Sequence, residues 1–184
     1  MVIEWRKIIP QIELIEEEDL RNKVIEVWNE AFKLGGWNEE ELNELPFTLL
    51  VSDTPISLID HTRLVTDIAI RVSESLKEEG GIELNRDYLI AGAILHDVGK
   101  LLEFGKSNEG IGVSYSGRLL RHPLSGLALA YKLGLPEEVC HIIALHSREG
   151  EGSYRNPEAI VLHHADFITF EIVKASMMNR SSQR

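Results

Sequence analysis

Of the seven histidines in this chain of 184 residues, several fall on faces that a helix would turn inward. His61 stands three, four and seven residues before Leu64, Val65 and Ile68, so a helix points it toward the interior that receives that stripe. A single inward histidine is more often a hydrogen-bonded core residue than a ligand. His61 has company. His96 and Asp97 lie in YLIAGAILHDVGK, the most apolar run of the chain. An unpaired carboxylate there is costly, and as a helix cap it would meet the wrong end of the dipole. His146 is in register with Val139, Ile142 and Ile143, whereas His141 falls off that stripe. Asp166 shares a face with His163, Phe170 and Val173. His122 stands at the expected start of a helix, where capping by an imidazole is uncommon.

Taken together, His61, His96, His122 and His146 with Asp97 and Asp166, spread over separate helices, are what a helical metal site requires. Nitrogen and oxygen ligands without a thiolate disfavour iron–sulfur and structural zinc, and suit Mn²⁺, Fe²⁺, Mg²⁺, Co²⁺ or Ni²⁺. Six ligands exceed what one open catalytic ion needs. One or two divalent ions per chain are therefore expected, and two ions about 3.5–4 Å apart can clamp a phosphoryl group undergoing in-line displacement.

The elements that must position these residues read as all-α, because apolar residues recur at helical spacing and alternating runs are nearly absent. About six to eight helices are expected. The first runs from about Asp19 to Leu34, with Leu20, Val24, Val27, Trp28, Ala31 and Phe32 on one face and Gly35 and Gly36 as its stop. Residues before it read as a loose arm, and Trp5 and Trp37 as packing for that arm rather than a dimer surface. A long helix follows Asp53 and Thr54 with Pro55 in its first turn, burying Leu64, Val65, Ile68, Val72 and Leu76 and ending at Gly80 and Gly81. A third starts near residues 85–87 and carries His96 and Asp97 in its last turn. Residues 105–121 are Gly- and Ser-rich, a loop or small hairpin that could act as a lid. Pro123 and Pro136 each suit the first turn of a short helix, ending at Gly134 and His146. A last helix runs from about Pro157 to Ala175, and 176–184 reads as a frayed tail. The expected organisation is a single domain over 1–184, comprising an N-terminal arm and helix (1–50), a metal-binding core (54–175) and the tail.

Composition removes several function classes. The net charge of −11 argues against broad coating of nucleic acid, although local basic residues could still hold a phosphate. One cysteine, Cys140, cannot form an internal disulfide, and a chain this long buries roughly two-thirds of its unfolded surface without staples. No apolar stretch approaches the ~18 residues of a membrane span, and acids in MVIEWRKIIPQIELIEEEDL occupy the place of a signal peptide's apolar region. A cytoplasmic protein without membrane partners is expected.

The order His61, then His96 and Asp97, then Asp166, with the context Ile94-Leu95-His96-Asp97-Val98-Gly99-Lys100, resembles the HD superfamily of metal-dependent phosphohydrolases across about residues 60–172. That resemblance implies a compact helical HD-domain bundle. It also implies that His61, His96, Asp97 and Asp166 are the primary metal ligands, with Asp97 as the bridge if a second ion binds. In binuclear members such as the HD-GYP phosphodiesterases, a histidine of an HPxxG-like segment and another one helix later hold the second ion. These match His122, in His122-Pro123-Leu124-Ser125-Gly126, and His146. Lys100 matches a lysine that faces the phosphate. The GYP signature is missing, and Ser57 stands where those proteins carry an acidic ligand, which argues against cyclic-di-GMP.

The segment Ser116-Gly117-Arg118-Leu119-Leu120-Arg121-His122 is similar to the GKLLGH stretch of HD-type 3′-to-5′ exoribonucleases, and Glu158-Ala159-Ile160-Val161-Leu162-His163 to Asp166 resembles their EALILHxxD ending. Ribonuclease Y and the symmetric diadenosine tetraphosphate hydrolases share the LHDxGK and AD elements. Those exonucleases carry an oligonucleotide-binding barrel and ribonuclease Y a long helical anchor, so the expectation moves toward small substrates. The resemblance implies hydrolysis of phosphoester bonds of nucleotides, dinucleotides or short oligonucleotides by a metal-activated water, with Asp97 and Lys100 as catalytic residues. Lys100, Arg118, Arg121 and Arg148, with Lys106 nearby, are the expected substrate contacts. His163, one turn before Asp166, is a hydrogen-bond donor behind the ligands. A small exoribonuclease and a catalytically silent nucleotide-binding module are the alternatives. Nucleic acid is a partner that this reading allows without requiring, and homo-oligomerisation is left open.

Overall fold

Some helix ends are closed by their own flanking residues and others have no side-chain cap. The computed structural model describes residues 3–51, 54–108 and 110–181. Helix α1 (Trp5–Ile8) leads through a 3-10 turn (Pro10–Leu14) into α2 (Glu18–Gly35), which stops at Gly36 in the left-handed conformation, φ 69°. Helix α3 (Glu39–Glu44) is short. Helix α4 (Leu58–Gly80) opens with a reciprocal cap: the Ser57 hydroxyl accepts from the Asp60 amide and the Asp60 carboxylate from the Ser57 amide, both at 3.1 Å. Thus Pro55 precedes the cap instead of entering the first turn, and the expected neighbour Asp53 lies outside the described residues. Helix α5 (Arg86–Leu95) starts at Asn85, whose side chain accepts from the Tyr88 amide, and every residue from Leu89 to Leu95 is buried.

Helix α6 (Lys100–Glu103) leads into an antiparallel hairpin, β1 (Phe104–Ser107) with β2 (Gly110–Val113), and then α7 (Tyr115–Leu119). The Gly- and Ser-rich segment is thus a hairpin followed by a helical turn. Helix α8 (His122–Lys132) carries Pro123 in its first turn as expected, whereas Pro136 is the N-cap of α9 (Glu137–Leu145). Helix α10 (Pro157–Ser181) extends six residues past the expected end at Ala175. Residues 182–184 of the expected tail lie outside the described residues.

Helix α5 is the central post, packed by α4, α9, α10 and α2, and α4 packs against α10. Gly92 makes the α5–α9 approach close: a Cβ there would fall 2.6 Å from Cγ2 of Ile142. One apolar cluster joins Ile90, Ala91, Ile94 and Leu95 of α5 to α2 and α9, and a second joins Val65, Ala69, Leu89, Ala93, Ile142 and Leu162. The buried stripe of α4 differs from the expected one. Leu64 and Val72 are exposed, and Thr62, Thr66 and Ser73 take the interior beside Val65 and Ala69. Their hydroxyls donate to carbonyls three or four residues back, which is what makes this face tolerable inside.

The N-terminal segment is not a loose arm. Trp5, Ile9, Ile12 and Ile15 are buried, the Trp5 and Trp28 rings lie 5.0 Å apart, and Trp5 Nε1–H donates to Asn29 at 2.7 Å. Trp37 is buried as well and donates to the Leu101 carbonyl at 2.7 Å, so both tryptophans are packing residues, as expected.

Candidate metal centre

Five helices deliver the chemistry-bearing side chains to one end of α5. His61 comes from the first turns of α4, where the Ser57 cap fixes its height. His96 and Asp97 leave the end of α5 in a helical turn rather than in its last hydrogen-bonded residues. His122 opens α8, His146 is the C-cap of α9, and Asp166 projects from α10. All six converge, in two groups of three: His61, His96 and Asp166 in one, and Asp97, His122 and His146 in the other.

Asp97 faces both groups. Its Oδ2 lies 3.4 Å from His61 Nε2 and 3.3 Å from His96 Nε2, and its Oδ1 lies 3.3 Å from His122 Nε2 and 3.7 Å from His146 Nε2. Asp166 Oδ1 is 3.0 Å from His61 Nε2. The ring nitrogens also face one another, His61 and His96 at 3.4 Å and His122 and His146 at 3.3 Å. The inward nitrogens of three of these rings carry lone pairs, because their Nδ1–H groups are already donated: His96 to the Ala93 carbonyl, His146 to the Ile143 carbonyl, each at 2.7 Å, and His122 to the Glu103 carboxylate at 2.7 Å. Lone pairs pointed at lone pairs and carboxylates in a buried site call for a cation between them, so the donor set fits divalent metal.

Burial and neighbouring charges pull these groups in opposite directions. Burial alone would raise the Asp97 pKa, but Lys100 and His96 outweigh it and hold the carboxyl well below its ordinary range. Asp166 is pushed down to about 2, since the hydrogen bond from His61 and the nearby His96 overcome its burial. Burial pulls His61 down, yet the carboxylates of Asp166 and Asp97 together leave its pKa raised. Burial prevails at His122, whose pKa is lowered despite the hydrogen bond to Glu103. Phe47 stacks on the His61 ring with centroids 4.6 Å apart and meets Phe170 edge-on at 6.3 Å, closing that side to water. Of the six, Asp166 and His122 are the least enclosed, their side chains 15% and 9% exposed.

The expected substrate contacts are disposed differently from the sequence reading. Lys100 is buried; its ammonium donates to Asp97 Oδ2 at 2.6 Å and to the Phe47 carbonyl, so it first serves the carboxylate and stands only at the edge of the site. Arg121 is drawn to Glu103, Nε to Oε1 at 3.0 Å, and toward Glu149 at 3.8 Å. Lys106 is engaged elsewhere, pairing with Glu41 at 2.7 Å and lying over the Trp37 ring, because the hairpin carries it toward α3. Arg118 is exposed with its guanidinium 6.0 Å from the Tyr115 ring, and Arg148 is exposed in a short 3-10 turn (Arg148–Gly150). His163 does donate behind the ligands, but to the His146 backbone carbonyl at 2.6 Å rather than to a ligand side chain. His141 accepts from the Asn156 amide and stays outside the site, as its spacing implied.

Glu103 was missed. Buried behind His122, it keeps a lowered pKa because His122 and Arg121 overcome the cost of its burial. The available signal was an acid enclosed by apolar residues in Lys100-Leu101-Leu102-Glu103-Phe104.

The model of the HD domain family matches residues 58–170, the span that carries all six groups. A dihydroneopterin 2′,3′-cyclic phosphate phosphodiesterase of Methanocaldococcus jannaschii is 34% identical over 173 residues, covering 87% of this chain and 66% of the relative. The 3′-5′ exoribonuclease YhaM of Bacillus subtilis is 32% identical over 151 residues, and that of a Geobacillus strain 30%, each covering 72% of this chain. The chain spans just under two thirds of the phosphodiesterase's length and 46% and 45% of the two exoribonucleases' lengths. No solved structure matches at a significant level. With its helical bundle, its ordered histidines and aspartates and a family match over most of its length, the chain belongs to the HD domain family.

Proposed function

We propose that this chain hydrolyses a phosphodiester bond in a small nucleotide-like substrate, cyclic phosphates included, using a divalent ion in each of the two three-residue groups. The observation that carries this reading is the division of Asp97, one oxygen toward His61 and His96 and the other toward His122 and His146. His61, His96 and Asp166 on one side and His122 and His146 on the other would hold manganese, iron, magnesium, cobalt or nickel, which would supply Lewis acidity toward phosphoryl oxygens and lower the pKa of water. The protein's own residues do the rest. Asp97 fixes the spacing of the two groups, and Lys100 places a positive charge against it at the edge where negative charge develops. Phe47 keeps water off His61, and the less enclosed side at Asp166 and His122 admits the ester.

A small substrate is favoured over an RNA strand by the electrostatics. The protein is acidic, and two of its expected phosphate-gripping cations, Arg121 and Lys106, are paired with Glu103 and Glu41. The relatives' names support both outcomes, a cyclic phosphate diesterase and 3′-5′ exoribonucleases. A cytoplasmic location belongs to the same reading, since small phosphorylated metabolites reside there. The test is a panel of a 2′,3′-cyclic nucleotide, bis-p-nitrophenyl phosphate, p-nitrophenyl phosphate and a single-stranded oligoribonucleotide, each with added Mn²⁺. Turnover of the two diesters well above the monoester and the oligonucleotide is expected. Stepwise 3′-to-5′ shortening of the oligonucleotide as the fastest reaction would move the assignment to the exoribonuclease.

A further inference from the structure

We infer that Glu103 is the positioning residue for the His122 half of the centre and couples it to the segment that follows His146. This inference rests on the two-ion reading above. Glu103 ends α6, 5% exposed, and its Oε2 accepts two hydrogen bonds from the same residue: the backbone N–H of His122 at 2.6 Å and the ring Nδ1–H of His122 at 2.7 Å. Its other oxygen holds Arg121 Nε at 3.0 Å. The Arg121 guanidinium reaches toward Glu149, which in turn accepts from the Ser147 hydroxyl. A line of polar contacts, with its longest step the 3.8 Å from Arg121 to Glu149, therefore runs from α6 through the start of α8 to the residue after His146.

The chemistry of that line singles out His122. A carboxylate that takes an imidazole N–H fixes both the tautomer and the rotation of the ring, and makes the opposite nitrogen a stronger donor to metal. His96 and His146 receive only neutral backbone carbonyls at Nδ1. The backbone gives Glu103 no room to withdraw. A Cβ on Gly117 would fall 2.2 Å from the Glu103 carbonyl oxygen and a Cβ on Gly99 2.1 Å from the His122 carbonyl oxygen, while the Ser114 amide donates to the Glu103 carbonyl at 2.8 Å. Helices α6, α7 and α8 thus meet through glycine contacts that set the carboxylate directly behind the ring.

The experiment compares wild type with Glu103→Gln, which keeps volume and loses the anion. Each metal-free protein is titrated calorimetrically with Mn²⁺, and the loaded protein is examined by electron paramagnetic resonance. Wild type is expected to bind two ions and show a coupled pair. The variant is expected to bind the second ion about 10–100-fold more weakly and to show an isolated ion, with a melting temperature of the metal-free protein close to wild type. Long-range nitrogen NMR of metal-free wild type, which needs no variant, is expected to show His122 protonated at Nδ1. Two ions bound with unchanged affinity in Glu103→Gln, or His122 protonated at Nε2, would overturn the role of Glu103 while leaving the two-ion reading intact. A wild type that binds one ion overturns both.

Discussion

Asp97 and Lys100 form the tightest charged contact of the centre, 2.6 Å between Oδ2 and Nζ. The carboxylate serves both groups of ligands, whereas the ammonium lies against it and touches no imidazole. Lys100→Met is therefore expected to lower turnover about 10²-fold, as for loss of a charge-stabilising donor, while metal content measured by elemental analysis stays at the wild-type level. Loss of metal together with turnover would instead make Lys100 a structural support of Asp97. At Cys140 the expectation concerns reactivity. Burial, helped by Glu137, pushes the thiol up, so at pH 8 its thiolate fraction lies below that of a free cysteine. Native protein is expected to resist iodoacetamide at that pH and to alkylate only on unfolding, which mass spectrometry would follow. Single residues were legible in the sequence where a helical register pinned them: the six candidate ligands all reached the centre. The pairing of the cations was not, because sequence proximity to His122 does not reveal that Arg121 meets Glu103 and Lys106 meets Glu41.

Among elements, the turn from His96 to Lys100 is tightly constrained. Gly99 sits against the first turn of α8, where a Cβ would meet the His122 carbonyl, the Ser125 hydroxyl and the Gly126 amide, all within 2.8 Å. Gly99→Ala is expected to force α6 and α8 apart, costing about 1–3 kcal/mol, and to weaken metal binding at the same time; denaturant unfolding and Mn²⁺ titration measure the two. The N-terminal segment is packed as well. Trp5, Ile9, Ile12 and Ile15 recur at intervals of four, three and three, a spacing that already marks a buried face, although the segment forms only a short helix and a 3-10 turn. Trp5→Ala is expected to cost about 3–5 kcal/mol in urea unfolding, where a loose arm would cost almost nothing. The stripe of α4 was less legible. Leu64 and Val72 were read as inward by hydropathy, whereas buried threonines, satisfied by their own helix, occupy that face.

For the whole molecule, the centre is a joint among helices that are far apart in sequence, and metal is expected to act as a fastener as well as a reagent. His61, His96, His122, His146 and Asp166 belong to five different parts of the chain, so a ligand set that binds only when folded stabilises the fold by mass action. Stripping the protein with a chelator is expected to lower its melting temperature by about 5–15 °C, with recovery on adding Mn²⁺. The most direct measurement is metal content by elemental analysis with hydrolysis of bis-p-nitrophenyl phosphate in the same preparation, wild type beside Asp97→Ala. About two ions per chain, with turnover abolished in the variant, is the expected result. Undiminished turnover in Asp97→Ala would contradict a centre organised around that carboxylate.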